Sequence, residues 1–169
     1  MNMINKINKL SRTEFIKVFA NMFEKAKWIA EELHRHKPFN NFEELSSKML
    51  NIFETATNEK KLKILNDHPD LADKAKINRL TPDSLKEQTS SELDQCTEKE
   101  FNEFRKLNNI YKKFGFPFIL AIKGKNKNEI LSNFKKRVLS DPETEFKEAI
   151  IQVKKIATLR LEELIKKYN

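Results

Sequence analysis

Apolar residues recur at steps of three and four along most of this chain, the spacing that lines one face of an α-helix. Phe15, Val18, Phe19, Met22 and Phe23 form the first such stripe, with Ser11 and Glu14 ahead of it as a capping box. Trp28, Ile29 and Leu33 continue that pattern toward Pro38. The spacing predicts a second helix from near Asn41, with Phe42, Leu45, Met49, Leu50, Ile52 and Phe53 inward. A third starts near Asn58, with Leu62, Ile64 and Leu65 inward. Proline restricts its predecessor to extended backbone, so Pro69 places His68 at a helix end or in a bend. Leu71 to Lys76 reads as a short helix, and Thr81-Pro82-Asp83-Ser84 as a helix start ahead of Leu85 to Leu93. Thr97 with Glu100 caps a long helix carrying Phe101, Phe104, Leu107, Ile110, Tyr111 and Phe114. Phe116 to Ile122 is a continuous apolar run with Pro117 near its start, which predicts a buried extended stretch crossing the core. Helices over 128–139 and 142–167 complete the chain, the last with Ile150, Val153, Ile156, Ala157, Leu161 and Leu164 inward. The expected fold is all-α: a single compact domain over 1–169, of about eight to nine helices, with a buried extended segment near 116–122. Residues 1–10, where Asn and Lys alternate with isolated apolar residues, are expected to be a loose N-terminal segment.

Composition narrows the function classes. With 169 residues and 38% hydrophobic content the chain fits one domain with a real core, and 13 Phe supply most of its aromatic bulk. Its 2 Gly and 5 Pro are too few for the tight hairpins of a sandwich or barrel. Gly115 and Gly124 stand alone, so no glycine fingerprint for a dinucleotide or a P-loop exists. One cysteine and 3 His cannot build the usual structural zinc centre, so no metal is expected and a reducing compartment is. Met1 to Leu10 lacks the apolar core of a secretory signal, and no apolar run is long enough to span a bilayer. A soluble, cytoplasmic protein is the expectation.

The net charge is +8, from 33 Lys plus Arg against 25 Asp plus Glu. It is patchy: Lys123, Lys125, Lys127, Lys135, Lys136 and Arg137 cluster against Glu129, while 81–104 is acidic. No basic segment interleaves the exposed aromatics that stack bases, so nucleic acid is not the expected partner. A basic helical module for nucleic acid or an acidic protein stays open as an alternative.

Three polar sites lie beside apolar boundaries rather than on exposed faces. The first is Asn66-Asp67-His68-Pro69-Asp70-Leu71-Ala72. In the second, Ser84, Glu87 and Gln88 follow i, i+3, i+4 spacing, which puts a hydroxyl, a carboxylate and an amide on one helix face. The third is Arg160, between Leu159 and Leu161. Each has a plain structural account: His68 as a helix-end residue, Ser84 and Glu87 as a capping box, Arg160 as a surface cation. His34 and His36 belong to a charged helix end, and Cys96 has no histidine in its predicted neighbourhood.

The ordered set His68-Pro69-Asp70-Leu71-Ala72, Ser84 with Glu87-Gln88 and Leu93, Phe114-Gly115-Phe116-Pro117-Phe118, Lys123-Gly124, Arg137, and Ile156-Ala157 with Arg160-Leu161 resembles the 2-oxo-4-hydroxy-4-carboxy-5-ureidoimidazoline (OHCU) decarboxylase family. The resemblance runs from about Phe15 to Leu164. Ser91-Glu92 stands where an Ala-Gly pair usually precedes the leucine at position 93, which bears on the local turn and on how Glu87 is presented. The resemblance implies an all-helical fold, commonly a homodimer, acting on a small ureido-imidazoline in uric acid degradation and needing neither metal nor organic cofactor. A relative that kept the scaffold but lost the activity, or that acts on another ureido compound, is the second alternative.

The implied chemistry is self-consistent. Loss of CO2 leaves an electron pair, and without pyridoxal phosphate or thiamine the acceptor must lie within the substrate. The ring C=N beside the carboxyl-bearing carbon accepts it, giving an enol-like intermediate that is reprotonated on one face to chiral allantoin. On this reading His68 contacts the hydroxyl geminal to the carboxylate, since imidazole can donate or accept near neutral pH. Glu87 orients that imidazole or handles ring protons and the reprotonation. Ser84 and Gln88 supply neutral hydrogen bonds, and Arg160 offers a planar fork to a carboxylate or ring carbonyl. Pro69, Phe116 and Ile119 wall the pocket, with backbone of that last segment open to the ureido arm.

Overall fold

The computed structural model describes residues 1–74 and 76–169. Among the described residues the chain is all-α, with nine α-helices and no strand. They are α1 (Met3–Lys9), α2 (Arg12–Phe19), α3 (Lys27–His34), α4 (Phe42–Glu54), α5 (Asn58–Asp67), α6 (Pro82–Ser90), α7 (Glu98–Tyr111), α8 (Lys127–Arg137) and α9 (Pro142–Ile165). Local chemistry sets their starts. The Ser11–Glu14 and Thr97–Glu100 boxes both form, each satisfying two helix N–H groups reciprocally. Asn41 and Asn126 cap α4 and α8 by accepting from Glu44 N at 2.8 Å and Glu129 N at 2.9 Å.

Contacts gather the helices into two compact units, one of Met1–Ile64 with Lys154–Asn169, the other of Leu65–Val153. In the first, Phe15 and Phe19 stack at 4.4 Å between ring centres and Phe23 meets Phe53 at 5.0 Å, around fully buried Leu33, Leu45 and Met49. In the second, Phe118 stacks on Phe134 at 4.0 Å, and Tyr111 sets its edge against both rings. Burying side chains of this size contributes about 1.5–3 kcal/mol each.

Several expectations need correction. Residues 1–10 are not loose: Asn2 caps α1, and Ile4 and Ile7 are buried, an i, i+3 pair that the surrounding Asn and Lys obscure. The stripe from Phe15 to Leu33 is two helices, because the chain turns between Phe19 and Lys27, where Lys25 has φ +51° and the Glu24 carboxylate is buried. Both halves face one core, so the stripe reads through the break. Leu62 is 40% exposed instead of inward. Of the short helix expected over 71–76, residue 75 lies outside the described residues. Leu71–Lys74 makes turns, with Ala72 at a left-handed φ of +52° that no α-helix accommodates, and a single 3-10 turn follows at Ile77–Arg79.

The segment 116–122 is buried and non-helical as expected, with only Pro117 half-exposed. Buried backbone groups need partners, and with no strand among the described residues side chains provide them. Arg137 Nη1 donates to the Ile119 carbonyl at 2.6 Å, the Ala121 N–H to Gln152 Oε1 at 2.9 Å, and Ser91 Oγ to the Ile122 carbonyl at 3.0 Å. Arg137 is itself held by Glu145 (Nε to Oε1, 2.8 Å) and by the Tyr111 hydroxyl (Nη2, 3.3 Å), and Tyr111 donates to the same carboxylate. The last cation of a basic run is thus a core residue.

Candidate active site

His68 ends α5. Its N–H still reaches the Leu65 carbonyl at 3.2 Å, and Pro69 then stops the helix. The residue is 9% exposed, so it is a helix-end residue in the interior. Pro69 and Asp70 are half-buried. Burial pushes the Asp70 carboxyl above the ordinary carboxylate range, opposed by Lys112 and Lys76 and assisted by Asp73.

The second group sits on α6. Thr81 caps this helix, accepting from the Ser84 N–H at 3.4 Å, and Pro82 fills the first turn, where its missing N–H costs nothing. Ser84 is therefore not the cap, and the capping-box account of Ser84 and Glu87 lapses. The shared face forms as the spacing predicts: Ser84 and Gln88 are buried and Glu87 is half-buried. Gln88 uses its carboxamide on the loop after His68, accepting from the Ala72 N–H at 3.0 Å and donating to the Asp70 carbonyl at 3.1 Å. This draws the helix of Glu87 onto the His68-Pro69-Asp70 corner. A carboxamide keeps one further N–H and one further lone pair for other partners.

At the end of α6 the family-atypical pair is accommodated. Glu92 has φ +60°, a conformation glycine takes without strain, and the buried Ser91 hydroxyl is tied to Ile122. Helix α6 is thereby joined to the extended segment in which Phe116 and Ile119 are both buried.

Seven predicted site residues, His68, Pro69, Ser84, Glu87, Gln88, Phe116 and Ile119, thus fall in the unit spanning Leu65–Val153, and Arg160 in the other. Arg160 is not a surface cation. It is 6% exposed, with Nη1 donating to the Asn21 carbonyl at 3.0 Å and Nη2 to Glu24 Oε2 at 2.9 Å. Burial pushes the Cys96 thiol up to about 11, which leaves little thiolate for nucleophilic chemistry near neutrality. Among the described residues no group of three or more His, Cys, Asp or Glu is placed to hold a metal ion.

Sequence reasoning missed Asn108, Glu145 and Glu24, and it flagged Ser91 without its tie to Ile122. The first two carried a signal: Asn108 falls on the inward stripe of α7 between Phe104 and Tyr111, and Glu145 on that of α9 before Ala149 and Gln152. A polar residue on an apolar stripe marks a buried hydrogen-bonding group. Glu24 lies in a turn, where periodicity is silent.

The helical fold of this chain is shared with two solved proteins. A crystal structure of an (S)-allantoin synthase superposes with a TM-score of 0.76 at 27% identity, covering 95% of this chain and 53% of that one. An OHCU decarboxylase crystallised in the presence of (S)-allantoin gives 0.67 at 25% identity, covering 82% and 91%. The chain is a member of the OHCU decarboxylase family, whose model matches residues 8–162. It is 39% identical over 167 residues to a uric acid degradation bifunctional protein of a Bacillus species (strain TB-90), covering 98% of this chain but only 33% of that protein. To the 2-oxo-4-hydroxy-4-carboxy-5-ureidoimidazoline decarboxylase of Haloferax volcanii it is 36% identical, covering 95% of this chain and 94% of that one.

Proposed function

We propose that this chain decarboxylates 2-oxo-4-hydroxy-4-carboxy-5-ureidoimidazoline to (S)-allantoin and CO2, with residues 1–169 acting as one functional domain and no metal or organic cofactor taking part. The observation that carries the reading is the Gln88 clamp, which couples the helix bearing Glu87 and Ser84 to the loop that follows His68 and Pro69. Family membership over 8–162 supplies the substrate class.

In this mechanism the C–C bond to the carboxylate breaks and its electron pair forms the C=C of an enol-like intermediate, while the π pair of the adjacent ring C=N moves to nitrogen, which takes a proton from water. His68 holds the hydroxyl on the former carboxyl-bearing carbon, and accepts its proton as that carbon becomes the lactam carbonyl of allantoin. A proton delivered to one face of the neighbouring carbon, through Glu87, sets the S configuration. Ser84 and Gln88 orient the ring, Arg160 engages a carboxylate or ring carbonyl, and Pro69, Phe116 and Ile119 exclude water. The 116–122 segment, held by Arg137, Gln152 and Ser91, offers backbone groups to the ureido arm. Aligned dipoles around the enol-like transition state carry most of the acceleration, about 2.7–4 kcal/mol for each donor lost.

The test uses substrate made freshly from urate by urate oxidase and hydroxyisourate hydrolase. Adding the protein speeds formation of allantoin that rotates polarised light, whereas spontaneous decay yields racemate. Racemic product at the uncatalysed rate contradicts the reading. A homodimer in the cytoplasm, binding this small molecule and not nucleic acid, is part of the same proposal; sedimentation gives the mass, and retention on heparin at physiological salt speaks against it.

A further inference from the structure

The three residues that follow His68-Pro69 are held by two carboxamides from different helices. Gln88 of α6 takes the Asp70 carbonyl and the Ala72 N–H, and Asn108 of α7 donates from Nδ2 to the Leu71 carbonyl at 3.0 Å. Asn108 is 7% exposed, so this bond is shielded from water. Its other amide atom, Oδ1, is buried with no hydrogen-bond partner. A leucine would fill a similar volume without stranding an acceptor, so packing alone does not account for an amide here.

The loop between the clamps is strained. Ala72, 2% exposed, has φ +52°, a left-handed conformation that residues with a Cβ rarely adopt unless their surroundings enforce it. Without the Asn108 anchor, Leu71 can turn its carbonyl elsewhere and Ala72 can relax to an ordinary φ. That rotation begins four residues after His68 and is transmitted through Pro69, whose ring removes one of the torsions that could absorb it.

We propose that Asn108 is a positioning residue for His68, acting through the Leu71 carbonyl and the left-handed turn at Ala72. The inference rests on the reading of His68 as a catalytic residue. It touches no substrate atom and needs no titration.

The strain itself supplies the test, because glycine adopts positive φ without enforcement. Asn108→Ala, Ala72→Gly and the double variant are compared with wild type for kcat, KM and thermal melting in the chiral-allantoin assay. In folded Asn108→Ala, kcat falls about fivefold to tenfold with KM little changed, the size expected when a catalytic group drifts by a fraction of an ångström. Ala72→Gly alone stays near wild type, and in the Asn108→Ala background it returns kcat to within about twofold, since the left-handed turn no longer needs its anchor. Should Asn108→Ala not fold, Asn108→Leu keeps the size, removes the donor and is read the same way. A folded Asn108 variant with wild-type kcat, or a loss that Ala72→Gly leaves unrepaired, overturns the positioning role. His68→Ala separates the two levels: if it turns over normally the catalytic reading fails, and if it is slow while Asn108 variants are normal only the positioning inference fails.

Discussion

Arg137 and Arg160 are both more than nine-tenths buried and both paired with a glutamate, Glu145 in one unit and Glu24 in the other. Their surroundings differ. Arg137 donates from all three of its nitrogens to protein atoms and lies over the Phe118 ring at 4.5 Å, where it anchors the Ile119 carbonyl of a buried non-helical segment. Arg160 is anchored through its two terminal nitrogens to a turn, at the Asn21 carbonyl and the Glu24 carboxylate. A buried ion pair is weak grounds for stability, since desolvation offsets most of the attraction. What each pair does is therefore read from what its arginine holds: Arg137 fixes backbone, whereas Arg160 is a guanidinium fixed in place by the backbone and an acid.

That contrast is open to breakage. The largest expected effect is on Arg137→Ala, which strands Glu145 and the Ile119 carbonyl and should lower unfolding free energy by about 3–5 kcal/mol in urea titration. A loss under about 1 kcal/mol would make the pair a spectator. Arg160→Ala should differ in kind, raising KM by about tenfold or more among folded molecules, the worth of one charged hydrogen bond to substrate, with kcat less affected. An unchanged KM would reduce Arg160 to a structural partner of Glu24 and erase the distinction.

A smaller effect belongs to Tyr111→Phe, which removes one hydroxyl shared by Glu145 and Arg137 and should cost about 1–2 kcal/mol without altering KM. The same hydroxyl has a pH signature. Burial first, then its bond to Glu145, push the Tyr111 phenol above its ordinary range, against a lesser opposing pull from Arg137. The neutral phenol is thus favoured in the fold. The stability this gives is complete below the unfolded phenol value of about 10 and falls as pH rises beyond it, where the unfolded chain ionises and the native one resists. In ultraviolet titration Tyr111 should ionise only on unfolding, and Tyr111→Phe should flatten the alkaline loss of stability.

Legibility in the sequence followed the range of the interaction. Helix existence, the Ser11 and Thr97 caps and the buried run at 116–122 rest on neighbours a few residues apart, and all were readable. The face formed by Ser84 and Gln88 was readable for the same reason. The break between α2 and α3 was not, because both sides face one core and no proline or glycine marks the turn. Nor was the left-handed turn at Ala72, which is enforced by Gln88, 16 positions downstream of Ala72, and by Asn108, 37 positions downstream of Leu71, not by local propensity. Glu24 meets Arg160 across 136 positions, and Glu145 meets Arg137 across 8 in a different helix. No periodicity encodes such pairs. The resemblance pointed to candidate site residues, and the fold added the groups that anchor them or the segments beside them: Asn108, Ser91, Glu145 and Glu24.

The central claim is that His68 acts on the substrate, and turnover of His68→Ala in the chiral-allantoin assay tests it most directly. With helix content and melting preserved, the account predicts a fall of at least roughly 100-fold in kcat, the loss of one preorganised group at the reacting centre. Turnover near that of the wild type, with allantoin still optically active, would contradict it.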